Sequence, residues 1–172
     1  MVKKTYIVDG YNVIRTTDAY VSYTHEDFDS CATNPIRDKL IADVAAWANS
    51  SKAKAIVVFD GTSNPQSNGK EQQQAGISVY FSKYGTSADT LIESLAHKAF
   101  ERGEQVTVVS SDNTVKWTVG YTEVFTMSSQ NFASLIKSIH TEQEEALEER
   151  KSSMRLGSRI DPETLRKLKN ML

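Results

Sequence analysis

Short apolar runs that end in aspartate alternate along this chain with stretches of three- and four-residue apolar spacing. Thr5 to Asp9 reads as a buried strand closing on an acid. Thr16 to Thr33 is polar and aromatic without a clear period, which predicts a long loop or insertion. A helix follows: Asn34 can cap it, Pro35 suits its first turn, and Ile36, Leu40, Ile41, Val44 and Ala48 fall on one face that Trp47 extends. Ala55 to Asp60 is a near-continuous β-branched run, the pattern of a strand covered on both faces, and it too ends in aspartate. Gly61 to Ala75 is rich in Gly, Ser, Asn and Gln without core formers and predicts a mobile surface loop. Ile77 to Phe81 resumes strand character. From Ser87 the spacing predicts a helix with Leu91, Ile92, Leu95, Ala99 and Phe100 inward, closed by Gly103. Gln105 to Val109 is the next strand and delivers Ser110-Ser111-Asp112; Glu123 to Thr126 predicts a short strand, and Phe132, Leu135, Ile136 and Ile139 mark another helix.

Strands alternating with helices predict an α/β fold with a mostly parallel central sheet flanked by helices. In such sheets the carboxyl ends of the strands share one edge, where ligands bind. Residues 1–140 form the expected domain. Residues 141–172 form a helical C-terminal tail: Thr141 to Lys151 is a Glu-dense, solvated helix, and beyond Gly157, Asp161 can cap a further helix through Leu165, Leu168 and Leu172.

The 172 residues suit one domain with a short extension, and 39% hydrophobic with 24% charged residues suits a globular protein. No apolar run approaches the ~18 residues that span a bilayer, and the start runs straight into strand pattern without a signal-peptide profile. The expected location is the cytoplasm. Cys31 is the only cysteine, which excludes an intramolecular disulfide and a multi-thiolate zinc site. The formal charge of −2 offers no global attraction to polyanions, so any nucleic-acid role needs local basic patches.

The chemistry resides in the acids. Asp9, Asp60 and Asp112 end or follow three strands, and Asp89 lies in the first turn of the helix after the Ile77 strand, on the same edge. Singly, each is an ordinary turn former or helix cap. Together, carboxylates ~5 Å apart would repel by ~3 kcal/mol per pair at an effective dielectric of 20, which a divalent cation or raised pKa values must relieve. Oxygen-only ligands favour Mg²⁺ or Mn²⁺, ions suited to phosphodiester hydrolysis. In Asp9-Gly10-Tyr11-Asn12, Gly10 permits a tight turn, and the Asn12 amide can orient Asp9, contact a phosphate or cap the next helix.

These segments, Asp9-Gly10-Tyr11-Asn12-Val13-Ile14-Arg15, Val57-Val58-Phe59-Asp60, Ser87-Ala88-Asp89-Thr90-Leu91-Ile92-Glu93 and Ser110-Ser111-Asp112, resemble in order the landmarks of the YacP-like NYN domain family, a branch of the PIN-like nucleases. Ile160 to Leu168 resembles that family's closing segment, so the likeness covers nearly the whole chain. The resemblance implies a PIN-like (NYN) fold and metal-dependent endonucleolytic cleavage of RNA, with some members tied to mRNA decay and ribosome contact. By position it makes Asp9, Asp89 and Asp112 metal carboxylates, Asp60 a further ligand or water-orienting residue, Asn12 a site-ordering amide, and Glu93, one turn after Asp89, an outer ligand. The chain departs from the family at Thr86-Ser87, where an acidic residue and Thr are frequent, and at Val115-Lys116, where a Glu-Gln pair is common. Lys116 thereby offers a positive charge that can meet a phosphate.

Arg15, Lys70 and Lys83 lie near loops at the same edge and can steer a phosphate backbone. Tyr20, Tyr23 and Phe28 can stack on unpaired bases or simply pack the loop. His25, His97 and His140 are scattered, and His97 reads as a solvent-facing helical residue. No GxGxxG, Walker-type loop or GxSxG turn is present, which argues against dinucleotide, P-loop and serine-hydrolase chemistry. Besides the nuclease, an RNA- or ribosome-binding module of the same fold without turnover remains open. A phosphoacceptor domain lacks support, since the first strand ends in a single Asp.

Overall fold

The structure, a computed structural model, describes residues 2–21, 35–61, 67–113, 115 and 124–157. Six strands form one sheet: β1 (Lys4–Asp9), β2 (Lys54–Phe59), β3 (Glu71–Gln74), β4 (Ile77–Phe81), β5 (Gln105–Val109) and β6 (Phe125–Met127), in the order β3-β4-β2-β1-β5-β6. Every pairing is parallel except β3 with β4. The helices are α1 (Gly10–Thr16), α2 (Asp18–Val21), α3 (Pro35–Ser51), α4 (Ala88–Glu101) and α5 (Ser129–Gly157).

Alternation along the buried strands sorts side chains to two layers. Ile7, Ile56, Val58, Val106 and Val108 point one way and pack with Ala88, Ile92, Ala96 and Ala99 of α4. The opposite face receives α3 and the start of α5, where Trp47 meets the ring of Tyr6 edge-on at 4.6 Å and that of Phe132 at 4.9 Å. β2 is buried from Ala55 to Phe59, as a strand covered on both faces must be. The compact units are Met1–Ile136 and Lys137–Leu172. No helix among the described residues is long and apolar enough to cross a membrane.

The α3 face is the one the sequence predicts: Ile36, Leu40, Ile41, Val44, Trp47 and Ala48 are buried. Four expectations change. Residues 71–74, read as part of a loop, form β3, an antiparallel edge strand; the two-residue turn at Ala75 and Gly76, both with positive φ (49° and 84°), folds the polar segment back onto β4. The expected insertion begins with helix α2, and Tyr20 is buried, its hydroxyl donating to Asp43 at 2.8 Å, so this ring is not available to a base. Tyr23, Phe28, Cys31 and Asn34 lie outside the described residues, as do His25, Lys116 and the tail after 157. Phe100 is exposed rather than inward, because Ala99 beside it already occupies the buried stripe. Finally, the last strand is β6 at Phe125–Met127, one residue or two beyond the predicted span.

Candidate active site

The strand order places a switch point between β1 and β5 at the carboxyl edge. The chain moves from β1 through α3 to β2 and β4, then returns through α4 to β5 on the other side of β1. Diverging connections leave room between the ends of β1 and β5. Asp9 ends β1, and Ser110 follows β5.

Both oxygens of Asp9 are held. Oδ1 accepts the Asn12 backbone N–H at 3.1 Å, Asp9 being the N-cap of α1, and Oδ2 accepts the Ser110 hydroxyl at 3.2 Å. Ser110 Oγ in turn accepts the Asp112 N–H at 3.1 Å, so one serine ties the first acid to the last. Burial pushes the Asp9 carboxyl up to about 6; the bonds from Asn12 and Ser110 pull the other way, and the charges of Asp89 and Asp112 add to the rise. Asp89, next to the Ser87 cap of α4, is also raised, by burial and then by the charges of Asp112 and Asp60. The four aspartates thus act on one another across the carboxyl edge. Asp60 is exposed just past β2, where its Oδ1 accepts the hydroxyl of buried Ser82 at 3.3 Å; Ser82 Oγ also accepts the Gly61 N–H at 2.8 Å.

Asn12 supports this edge through its carbonyl. Oδ1 accepts the Ser111 N–H at 2.8 Å and the Ser129 hydroxyl at 2.7 Å, joining α1, the end of β5 and the start of α5. Since a backbone N–H can only donate, the orientation of this amide is set. Its Nδ2 has no partner among the described residues. Ser111 Oγ accepts the Ser129 N–H and donates to Gln130, whose Nε2 reaches the Thr16 carbonyl, each at 3.0 Å. Sequence pattern does not single out these serines or Gln130. Ser110 and Ser111 carry a signal in preceding Asp112, but Ser129 meets Asn12 across 117 residues and carries none.

The outlying candidates are placed as follows. Glu93 is exposed on α4 and is not among the charges acting on Asp89. Lys70 and Lys83 are exposed between β2 and α4. Arg15 is exposed in the last turn of α1, its guanidinium 5.6 Å from the centre of the Tyr11 ring. Val115, at the family departure, is buried against the α4 layer. His97 stands 3.6 Å from Glu101 on the exposed side of α4.

The donor set fits a hard cation. It is all oxygen, and burial first, with the neighbouring acids adding, raises the Asp9 and Asp89 carboxyls, a cost that a bound cation offsets. Among the described residues, no three acidic, His or Cys side chains converge closely enough to ligate one ion together. An ion of the Mg²⁺ type keeps several waters and takes one or two carboxylates directly.

The family model of the YacP-like NYN domain matches residues 6–172. The uncharacterized protein YacP of Bacillus subtilis (strain 168) is 30% identical over 115 residues, 66% of this chain; the match spans 63% of that relative's length. The crystal structure of Rae1 (YacP) from Bacillus subtilis superposes with a TM-score of 0.71 at 24% identity, over 98% of this chain and 94% of that one. A mutant of the same protein gives 0.71 and 24% over 90% and 88%. At that identity the structural likeness speaks for the fold.

Proposed function

This chain belongs to the YacP-like NYN domain family, and from that premise we propose that it is a divalent-metal-dependent endoribonuclease, cutting RNA in mRNA decay or RNA processing in the cytoplasm, in contact with ribosomes. The observation that carries the reading is the coupling of Asp9, Asp60, Asp89 and Asp112 at the carboxyl edge, with Asp9 buried and pushed up to about 6. A plain binding surface has no use for acids gathered at one edge, whereas a hydrated hard cation takes one or two of them directly and offsets the charge of the rest.

Asp9, Asp60, Asp89 and Asp112 would hold Mg²⁺ or Mn²⁺. Such an ion, when bound, lowers the pKa of a coordinated water and polarises a phosphoryl oxygen. The chain's own residues supply position. Ser110 and the Asn12 N–H fix both oxygens of Asp9, so its carboxylate does not rotate on ligand entry. Ser82 restrains Asp60 through its Oδ1. Asn12, anchored through Oδ1, turns its Nδ2 donors to a phosphate oxygen without adding charge.

An RNA-binding module without turnover is the second reading, and the absence among the described residues of a ready three-ligand cluster favours it. Cleavage of single-stranded RNA decides between them. We expect activity with Mg²⁺ or Mn²⁺, none with chelator, and losses of at least ~100-fold in Asp9→Asn and Asp89→Asn with the fold intact, since each removes a charge that holds the ion. RNA bound but never cut, on naked RNA and on translating ribosomes alike, would establish the second reading.

A further inference from the structure

An acidic edge on a chain of net charge −2 repels a polyanion unless cations are placed beside it. The face of the sheet opposite α4 supplies them. Phe59 and Phe81, register partners at the ends of β2 and β4, stack at 5.4 Å between centroids, and Tyr11 meets Phe59 edge-on at 5.2 Å. The row ends in a guanidinium on each side: Arg15 over Tyr11 at 5.6 Å and Arg37 over Phe81 at 5.4 Å. Each ring neighbours the acidic edge in sequence: Tyr11 stands two residues after Asp9, Phe59 precedes Asp60, and Phe81 precedes Ser82, the serine bonded to Asp60. α3 enters β2 at the amino end of that strand, so its first turn, with Arg37, lies at the carboxyl end. The row is tightly built, because a Cβ on Gly10 would come within 2.3 Å of the Phe59 ring.

We propose that Arg15 and Arg37, at the two ends of this aromatic row, form a binding strip for the phosphate backbone of single-stranded RNA on the side of the strand ends opposite Asp89. The proposal rests on the ribonuclease reading of the acidic edge. A strand crossing that edge would pass Asp89, Asp9 and Asp60 and then meet the arginines, so its phosphates beyond the cut leave the acids for cations. Arginine suits this position: its guanidinium is weakly hydrated, stays charged, stacks on an aromatic face and still presents N–H donors at its rim to phosphate. The strip reads no base, so it holds the strand in register without sequence preference.

Binding of a short single-stranded oligoribonucleotide, followed by fluorescence anisotropy in chelator over a range of salt, tests this without any dependence on cleavage. Arg15→Gln and Arg37→Gln keep a long side chain over the ring but lose the charge. Each is expected to flatten the slope of log K against log salt by ~0.7, the single-strand value for one phosphate contact, and to weaken binding at low salt. Arg37→Lys should restore the slope, and Lys3→Gln, at the opposite edge, should leave it unchanged. Wild-type slopes in both Arg→Gln variants, with RNA still bound and cleaved, would overturn the strip alone. A wild-type protein with no affinity for RNA at any salt would overturn the strip and the ribonuclease reading together.

Discussion

Asp9 is subject to opposed influences: two hydrogen bonds favour its charge, while burial and two neighbouring carboxylates oppose it, and the opposition prevails. The sign of the consequence follows from linkage. A carboxyl whose folded value is about 6, against an ordinary ~4, favours the folded state below pH ~4, and that contribution is lost as pH rises through about 6. At pH 7 in chelator Asp9 therefore costs the fold roughly 2–3 kcal/mol, at ~1.4 kcal/mol per unit. Asp9→Asn should be more stable than wild type by about that amount at pH 7, the gap closing towards pH 4, in denaturant titrations; equal stability at both pH values would remove Asp9 as a strained charge. A residue that destabilises the empty fold in this way is expected where function requires it. Asn12 acts in the other direction. Asn12→Ala would strand the Ser111 N–H and the Ser129 hydroxyl, a loss of ~1–3 kcal/mol, read as a lowered denaturation midpoint.

Among the elements, the β3–β4 hairpin has a locally unfavourable residue. Ala75 sits at φ 49°, a left-handed conformation that costs a residue with a Cβ ~1 kcal/mol, whereas Asn followed by Gly76 would suit the two-residue turn. Ala75→Asn should raise stability by ~0.5–1 kcal/mol in thermal melts without altering RNA cleavage. The same hairpin marks where pattern reading fails. Glu71-Gln72-Gln73-Gln74 has no apolar alternation, because an edge strand with exposed side chains needs none; its pairing comes from β4. By contrast β1, β2, β4, β5 and α3 are legible because burial writes itself as apolar runs or as helical spacing. The error at Phe100 comes from reading every apolar residue as inward, when a helix stripe is only as wide as the layer it faces.

For the molecule as a whole, the topology brings acids distant in sequence to one edge of the sheet. Aspartates at positions 9, 60, 89 and 112 are legible because parallel strands share a carboxyl edge, so an acid at a strand end takes its address in the fold from its place in the pattern. The serines bonded to Asp9, Asp60 and Asn12 are not, since Ser110, Ser82 and Ser129 matter through hydrogen bonds between segments that sequence alone does not pair. Arg37 is silent for a related reason: only the sheet register, setting Phe59 beside Phe81, brings it to the edge. The ribonuclease reading requires the acidic edge to bind a hard cation, with one or two carboxylates held directly and the others acting through its waters. Calorimetric titration of Mn²⁺ into the wild-type protein and into Asp9→Asn, Asp89→Asn and Asp112→Asn measures that directly. Saturable binding by wild type is expected, weakening by ~10-fold or more in each variant, the scale of a lost ligand or of its support. Wild-type affinity retained in all three variants, or no Mn²⁺ binding at all, would contradict that reading.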